Sequence, residues 1–211
     1  MAHQDPSRTA ARADLARLLA ACYYEPGPEF AEERVFDAMR EAAATVDPAL
    51  AEVAERIGRG FAATGGDELL VDYTRLFLGP VDILAKPYGS VWLDVDAPLM
   101  GDSTMAVLQH YEDAGFEVDE GFRDLPDHIA VELEFLYVLL FREAEARLRQ
   151  DAQTLAGLAR MRQRFLGEHL GQWVGAFAAA VTAGAQTSYY RDLAELTVRF
   201  VALEAARTDA H

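Results

Sequence analysis

The sequence predicts an all-α helical bundle, on three observations. Apolar residues recur at spacings of three and four along most of the chain. Pro and Gly fall between those runs rather than inside them. No segment alternates apolar and polar residues as a half-buried strand would, and no internal repeat is present. The 211 residues are read as a single helical domain over 1–211. If the bundle has two lobes, the acidic connector 116–124 is the candidate hinge.

Each element follows from its own residues. Leu15, Leu18, Leu19 and Cys22 form the first apolar stripe, and Pro26-Gly27-Pro28 end it. A second helix is predicted from Glu29 to Ala44, with Phe30, Phe36 and Met39 inward. Asp47 caps a third and Pro48 takes its first position. That helix carries Leu50, Val53, Ile57 and Phe61, and Gly65-Gly66 close it. A fourth runs from Asp67 to Leu78, with Leu69, Leu70, Tyr73, Leu76 and Phe77 as its stripe. Residues 79–101 hold three prolines and three glycines, so they form a long ordered loop, a frequent place for function. Ser103 caps the next helix, with Val107, Leu108 and Tyr111 inward and Gly115 as its stop. Pro126 opens a helix to Arg149. Two more follow over Ala152–Leu166 and Glu168–Thr182, and Ser188 caps a last one ending near Arg207.

Composition narrows the function classes. A net charge of −16, from 35 acidic and 19 basic residues, repels nucleic acid and anionic membranes and attracts cationic partners. The same charge serves solubility. No apolar run approaches the ~20 residues that span a bilayer, and Met1-Ala2-His3-Gln4-Asp5-Pro6 is not a secretory signal. A cytoplasmic protein without stable membrane insertion is expected. The lone Cys22 excludes an intrachain disulfide and reads as a buried, inert thiol.

Two stretches carry the chemistry. One is Asp72-Tyr73-Thr74-Arg75-Leu76-Phe77-Leu78-Gly79-Pro80, followed by Lys86-Pro87-Tyr88-Gly89-Ser90-Val91-Trp92-Leu93-Asp94. The other is Leu125-Pro126-Asp127-His128-Ile129-Ala130-Val131-Glu132-Leu133-Glu134-Phe135-Leu136. His128 and Glu132 are spaced to share a helix face, and Asp127 sits where a helix dipole favours a carboxylate. Three roles fit: an acid–base or metal site, a cap and ion pair tying helix to loop, or ligand capture. A zinc-binding helix needs a second, suitably spaced histidine. His3, His110, His169 and His211 lie in other segments. The chain has no phosphate loop, dinucleotide-binding turn or nucleophile elbow. Ser90 is read as bonding its own loop backbone. Trp173 and Phe177 read as helix packing. Of Tyr189 and Tyr190, one is expected inside and one exposed.

These stretches resemble the TorD/DmsD family of cytoplasmic chaperones for molybdenum-containing redox enzymes. The likeness rests on Leu76-Phe77-Leu78-Gly79-Pro80, Pro87 to Asp94, and Pro126-Asp127-His128-Ile129 with Glu132, Leu133 and Phe135. One spacer residue of the family pattern is absent, because Asp127 follows Pro126 directly. Weaker matches are Phe165, His169, Leu170, Trp173 and Phe177, and then Tyr189, Tyr190, Leu193, Leu196 and Phe200. The resemblance covers residues 10 to 205. It implies a helical bundle of the TorD/DmsD type, no catalysis, and no metal or cofactor of its own. The implied partners are the twin-arginine leader peptide and the apo-form of a molybdoenzyme subunit. The implied peptide-binding residues are Leu76, Phe77, Pro87, Tyr88, Ser90, Trp92, Asp94, Asp127, His128 and Glu132. Guanidinium forks pair bidentately with carboxylates, so Asp94, Asp127 and Glu132 are the charge candidates. Leu76, Phe77, Tyr88, Trp92 and Phe135 are candidate walls of an apolar groove, with core burial as the plain alternative for Leu76, Phe77 and Phe135. Two alternatives to leader binding stay open. One is a nitrate-reductase-type assembly factor that binds the client body, and the other is a helical metal-dependent hydrolase centred on His128 and Glu132. The oligomeric state stays open between a monomer and a domain-swapped dimer, for which the loop 79–101 and the connector 116–124 would be the hinges.

Overall fold

The structure is a computed structural model that describes residues 6–79, 82–94, 101–118 and 124–207. Eleven α-helices are described: α1 Pro6–Ala21, α2 Glu29–Glu32, α3 Val35–Val46, α4 Pro48–Ala63, α5 Gly66–Tyr73, α6 Gly89–Leu93, α7 Asp102–Ala114, α8 Ile129–Leu148, α9 Ala152–Phe165, α10 Gly171–Gly184 and α11 Ser188–Ala205. One π-helical turn, Thr74–Leu78, continues α5, and another, Leu166–Leu170, joins α9 to α10. No strand occurs among the described residues, and the all-α expectation holds. No helix described is long and apolar enough to cross a membrane. The central part of the expected hinge, 119–123, lies outside the described residues, as do Pro80, His3 and His211.

The helix α1 runs along α8, and this pair is the axis of the bundle. Next to it, α3 packs on α1, α4 on α3, α11 on α4, α10 on α11 and α9 on α8. Leu15, Leu19, Leu133, Leu136, Leu139 and Leu140 are fully buried along the axis, in one apolar cluster with residues of α4, α10 and α11. Cys22 is buried there, and desolvation lifts its thiol to about 12, so it stays a neutral apolar group.

Asp47 caps α4 through Ala49 N–H at 2.8 Å with Pro48 behind it, as expected. Gly115 adopts φ 62° and stops α7, also as expected. Several boundaries differ. The helix expected over 29–44 is broken at Arg34, whose left-handed backbone (φ 53°) separates α2 from α3. The break lets Phe30, Phe36 and Phe61 pack together, the last two with centroids 4.6 Å apart. No chain break divides 165 from 171. The π turn carries the helix through, and Gly171 is required there, because a Cβ would meet the Leu166 carbonyl oxygen at 2.3 Å. Tyr189 and Tyr190 are both fully buried, against expectation. The start of α11 lies between two layers, so Tyr189 packs on Phe36 and Phe61 while Tyr190 packs on Phe77.

That start is also capped from a distance. The buried Asp72 carboxylate accepts from Gln186 N–H, from Thr187 N–H at 2.8 Å and from the Thr187 hydroxyl at 2.8 Å. The cap expected from Ser188 is therefore supplied by α5. Asp94 likewise replaces Ser103 as the cap of α7, accepting from Ser103 N–H at 3.1 Å and its hydroxyl at 2.5 Å.

Four charged side chains form one buried ion-pair network inside the bundle. Arg12 grips Glu204 with two bonds of 2.8 and 2.5 Å, and Arg162 donates to Glu143 at 2.7 Å. Cross contacts of 3.7 Å join Arg12 to Glu143 and Arg162 to Glu204. All four are fully buried and tie α1, α8, α9 and α11 together.

Candidate functional site

The two sequence stretches meet in space. Gly89 N–H donates to the Asp127 carbonyl at 2.9 Å and Ile129 N–H to the Pro87 carbonyl at 2.8 Å, an isolated antiparallel bridge between Tyr88 and His128. The α8 helix therefore begins at Ile129 rather than Pro126, and Asp127 belongs to the turn before it. Asp127 is fully buried, and its carboxylate accepts from Ser90 N–H at 2.8 Å, fixing the first turn of α6. The Pro126 carbonyl accepts from the Tyr111 hydroxyl at 2.9 Å.

His128 caps α8 itself: its Nδ1 accepts from Ala130 N–H at 3.1 Å, so that nitrogen carries no proton. Burial pushes this imidazole down to about 4, against the opposing pull of Asp124 and Asp127. It is neutral at pH 7. Protons bind the unfolded histidine near 6.5 but the folded one only near 4, so the stability this group supports is full above pH 6.5 and is lost as pH falls toward 4. The loss is about 3 kcal/mol. His128→Asn keeps an acceptor for Ala130. It is expected to remove that slope, measured as the difference between wild-type and variant chemical denaturation from pH 7 to pH 4. Parallel pH profiles would contradict this.

Glu132 points the other way, into the core. Its carboxylate meets His169 Nε2 at 2.8 Å and accepts from the Trp173 indole at 3.2 Å. Burial raises the Glu132 carboxyl; for His169, burial alone would lower the imidazole, but the Glu132 charge and hydrogen bond leave it raised. Both shifts describe one proton held between the two. Gly89 lies directly above, where a Cβ would be 3.0 Å from the Trp173 indole nitrogen and 3.1 Å from Glu132 Oε1. Sequence separation hid this pairing, since His169 stands in another helix. Among the described residues no three His, Cys, Asp or Glu side chains converge as metal ligands.

The expected groove walls are placed differently from the sequence reading. Leu76, Phe77 and Phe135 are core residues. Phe77 fills a space between Tyr23, Tyr73, Phe177 and Tyr190, which leaves it no route to the surface. Pro87 and Ser90 are buried in the bridge. Tyr88 and Trp92 reach the surface in part. The Trp92 indole donates to the Lys86 carbonyl at 2.9 Å and its ring meets Phe177. Of the three charge candidates, Asp94, Asp127 and Glu132 are each engaged with partners inside the chain.

At the rim above the bridge stands a group the sequence reading missed. Tyr24 stacks on His128 at 6.2 Å with 10° between planes, and Tyr88 meets the same imidazole edge-on at 5.6 Å. The Tyr24 hydroxyl donates to Glu134 at 2.9 Å. Tyr88 is hydrogen-bonded to Asp124, and Tyr73 feels the charges of Glu25 and Asp124. Burial first, then these carboxylates, raises all three phenols, so they stay neutral. Glu25 and Asp124 are exposed and Glu134 is half-buried. The only signal in the sequence was Tyr24 itself, one residue past the inward-facing Tyr23 at the end of α1.

Stacked neutral aromatics walled by carboxylates thus edge a helical bundle with no strand among the described residues. The chain belongs to the nitrate reductase delta subunit family, which matches residues 37–179. It is similar to the chaperone protein TorD of Vibrio parahaemolyticus, 29% identical over 140 residues covering 66% of this chain and 63% of that protein. It is similar to the Tat proofreading chaperone DmsD of Salmonella paratyphi A, 26% identical over 182 residues, 86% of this chain and 82% of that one. The TorD matches span about three fifths of those relatives' length. A solved structure described as a redox enzyme maturation protein from Archaeoglobus fulgidus shares the fold, with a TM-score of 0.54 and 19% identity over 96% of each chain.

Proposed function

We propose that this chain is a non-enzymatic maturation chaperone that holds the twin-arginine leader of a molybdenum-cofactor redox enzyme in the cytoplasm before export. The observation that carries this reading is the rim of Tyr24, Tyr88 and His128 edged by Glu25, Asp124 and Glu134. A guanidinium is a flat cation. It gains from the face of an aromatic ring and from a carboxylate at the same time, and it is more weakly hydrated than an ammonium. Because His128 is neutral at pH 7, it adds no repulsion to an incoming arginine. The net charge of −16 draws such a peptide in from a distance.

Calorimetric titration with a synthetic leader peptide tests this. Replacing its arginine pair by alanines is expected to weaken binding about 100-fold, and replacing it by lysines about 10-fold, with affinity falling as salt rises. Equal affinity for all three peptides would reject the rim as the arginine site. A second reading is favoured by the family itself: an assembly factor that binds the client's folded body. It predicts that affinity for the whole client subunit survives removal of the arginine pair.

A further inference from the structure

The segment 86–94 is laid over two fully buried carboxylates, Asp127 and Glu132. Ser90 N–H reaches Asp127 at 2.8 Å, and a Cβ on Gly89 would stand only 3.1 Å from Glu132 Oε1. The segment itself is lightly built. Its helix, α6, has five residues, and Lys86, Tyr88, Trp92 and Leu93 all reach solvent. Among the described residues, neither carboxylate is hydrogen-bonded to an arginine or lysine. The group that can offset Glu132 is His169, 2.8 Å away on the π turn. The other neighbours supply no cation at pH 7. On α7, His110 lies 6.4 Å from the His169 ring, and burial, then the charges of Arg164 and His169, hold it below its ordinary value against Glu168 and Asp113. Tyr111 of α7 is a neutral phenol, and Trp173 of α10 gives only its indole N–H.

We infer that the proton between Glu132 and His169 is a latch on the 86–94 segment. With it, the pair has no net charge and the segment stays seated. Without it, Asp127 and Glu132 are two buried like charges with no cation beside them, and the segment lifts so that water reaches both. Tyr88 and Trp92 lift with it, so the latch sets whether the rim is assembled, whatever the rim binds. The direction follows from His169. Burial would lower its imidazole, but the Glu132 charge and hydrogen bond, with Asp127 and Asp94, leave it raised. The seated state therefore keeps its proton below pH 6.5 and loses it as pH rises through the raised value.

The test is hydrogen–deuterium exchange on the full chain, corrected for the chemical exchange rate, with α3 as internal reference. Protection over 86–94 is expected to fall about 10-fold or more between pH 6 and pH 9, while α3 stays level. His169→Gln keeps a donor to Glu132 but carries no titrating proton. It is expected to leave 86–94 poorly protected at every pH. Glu132→Gln removes the charge and is expected to keep the segment protected at every pH. Joining the two substitutions is expected to restore the protection that His169→Gln alone loses, because no charge is then stranded. His169→Gln as well protected as the wild type would overturn the latch, since the hydrogen bond and not the proton would hold the segment. A wild-type fall shared by α3, or no fall, would overturn it too. If His169→Gln does not fold, Glu132→Gln decides: a fall with pH like that of the wild type sinks the inference.

Discussion

Glu204→Ala is expected to lower the melting temperature by about 10 °C. Glu204 holds Arg12 through two hydrogen bonds and also faces Arg162 and Arg207. Arg12, Glu143, Arg162 and Glu204 have no exposed surface. Removing one carboxylate leaves two buried guanidinium groups sharing the Glu143 carboxylate, and breaking a buried pair in this way costs about 3–5 kcal/mol. Replacing Arg12 and Glu204 together by Met and Leu should cost much less, because Arg162 and Glu143 then keep each other as a buried pair. Thermal unfolding followed by circular dichroism measures both. A shift of under ~3 °C for Glu204→Ala would mean that the interior admits water and the charges are not desolvated.

The second large effect is on binding. Asp127→Ala is expected to weaken leader affinity about 10-fold or more, and Asp127→Asn only about 2-fold. The Asp127 carboxylate is buried and holds Ser90 N–H at 2.8 Å. It thereby fixes the segment that carries Tyr88 and Trp92. Alanine removes the acceptor and frees that segment, whereas asparagine keeps an oxygen in place. If Asp127 instead paired directly with an arginine of the leader, loss of its charge alone would matter, and asparagine would be as poor as alanine. Calorimetry on both variants separates positioning from direct contact.

Much of the fold was legible in the residues. Helical spacing located nearly every long helix. Asp47-Pro48 marked the start of α4 and Gly115 the end of α7, because caps and left-handed glycines act over a few residues. The boundaries that were misplaced depend on distant partners. Ser103 and Ser188 looked like caps, but Asp94 and Asp72 supply those bonds from other elements. Arg12 shares a helix face with Ala16 and Leu19, and its acid partners, Glu143 of α8 and Glu204 of α11, are beyond the reach of any local spacing rule.

For the candidate site, residue type and local spacing mark 86–94 and 125–136 as the distinctive stretches, because both are written in the chain. What each group touches depends on how the helices pack. That packing brought the two stretches into one bridge, turned Glu132 inward to His169 and Trp173, sealed Leu76 and Phe77 in the core, and set Tyr24 over His128. Burial and charge pairing are fixed by which helices pack together. A carboxylate facing water can meet an arginine, and the same carboxylate facing an indole and an imidazole holds the fold.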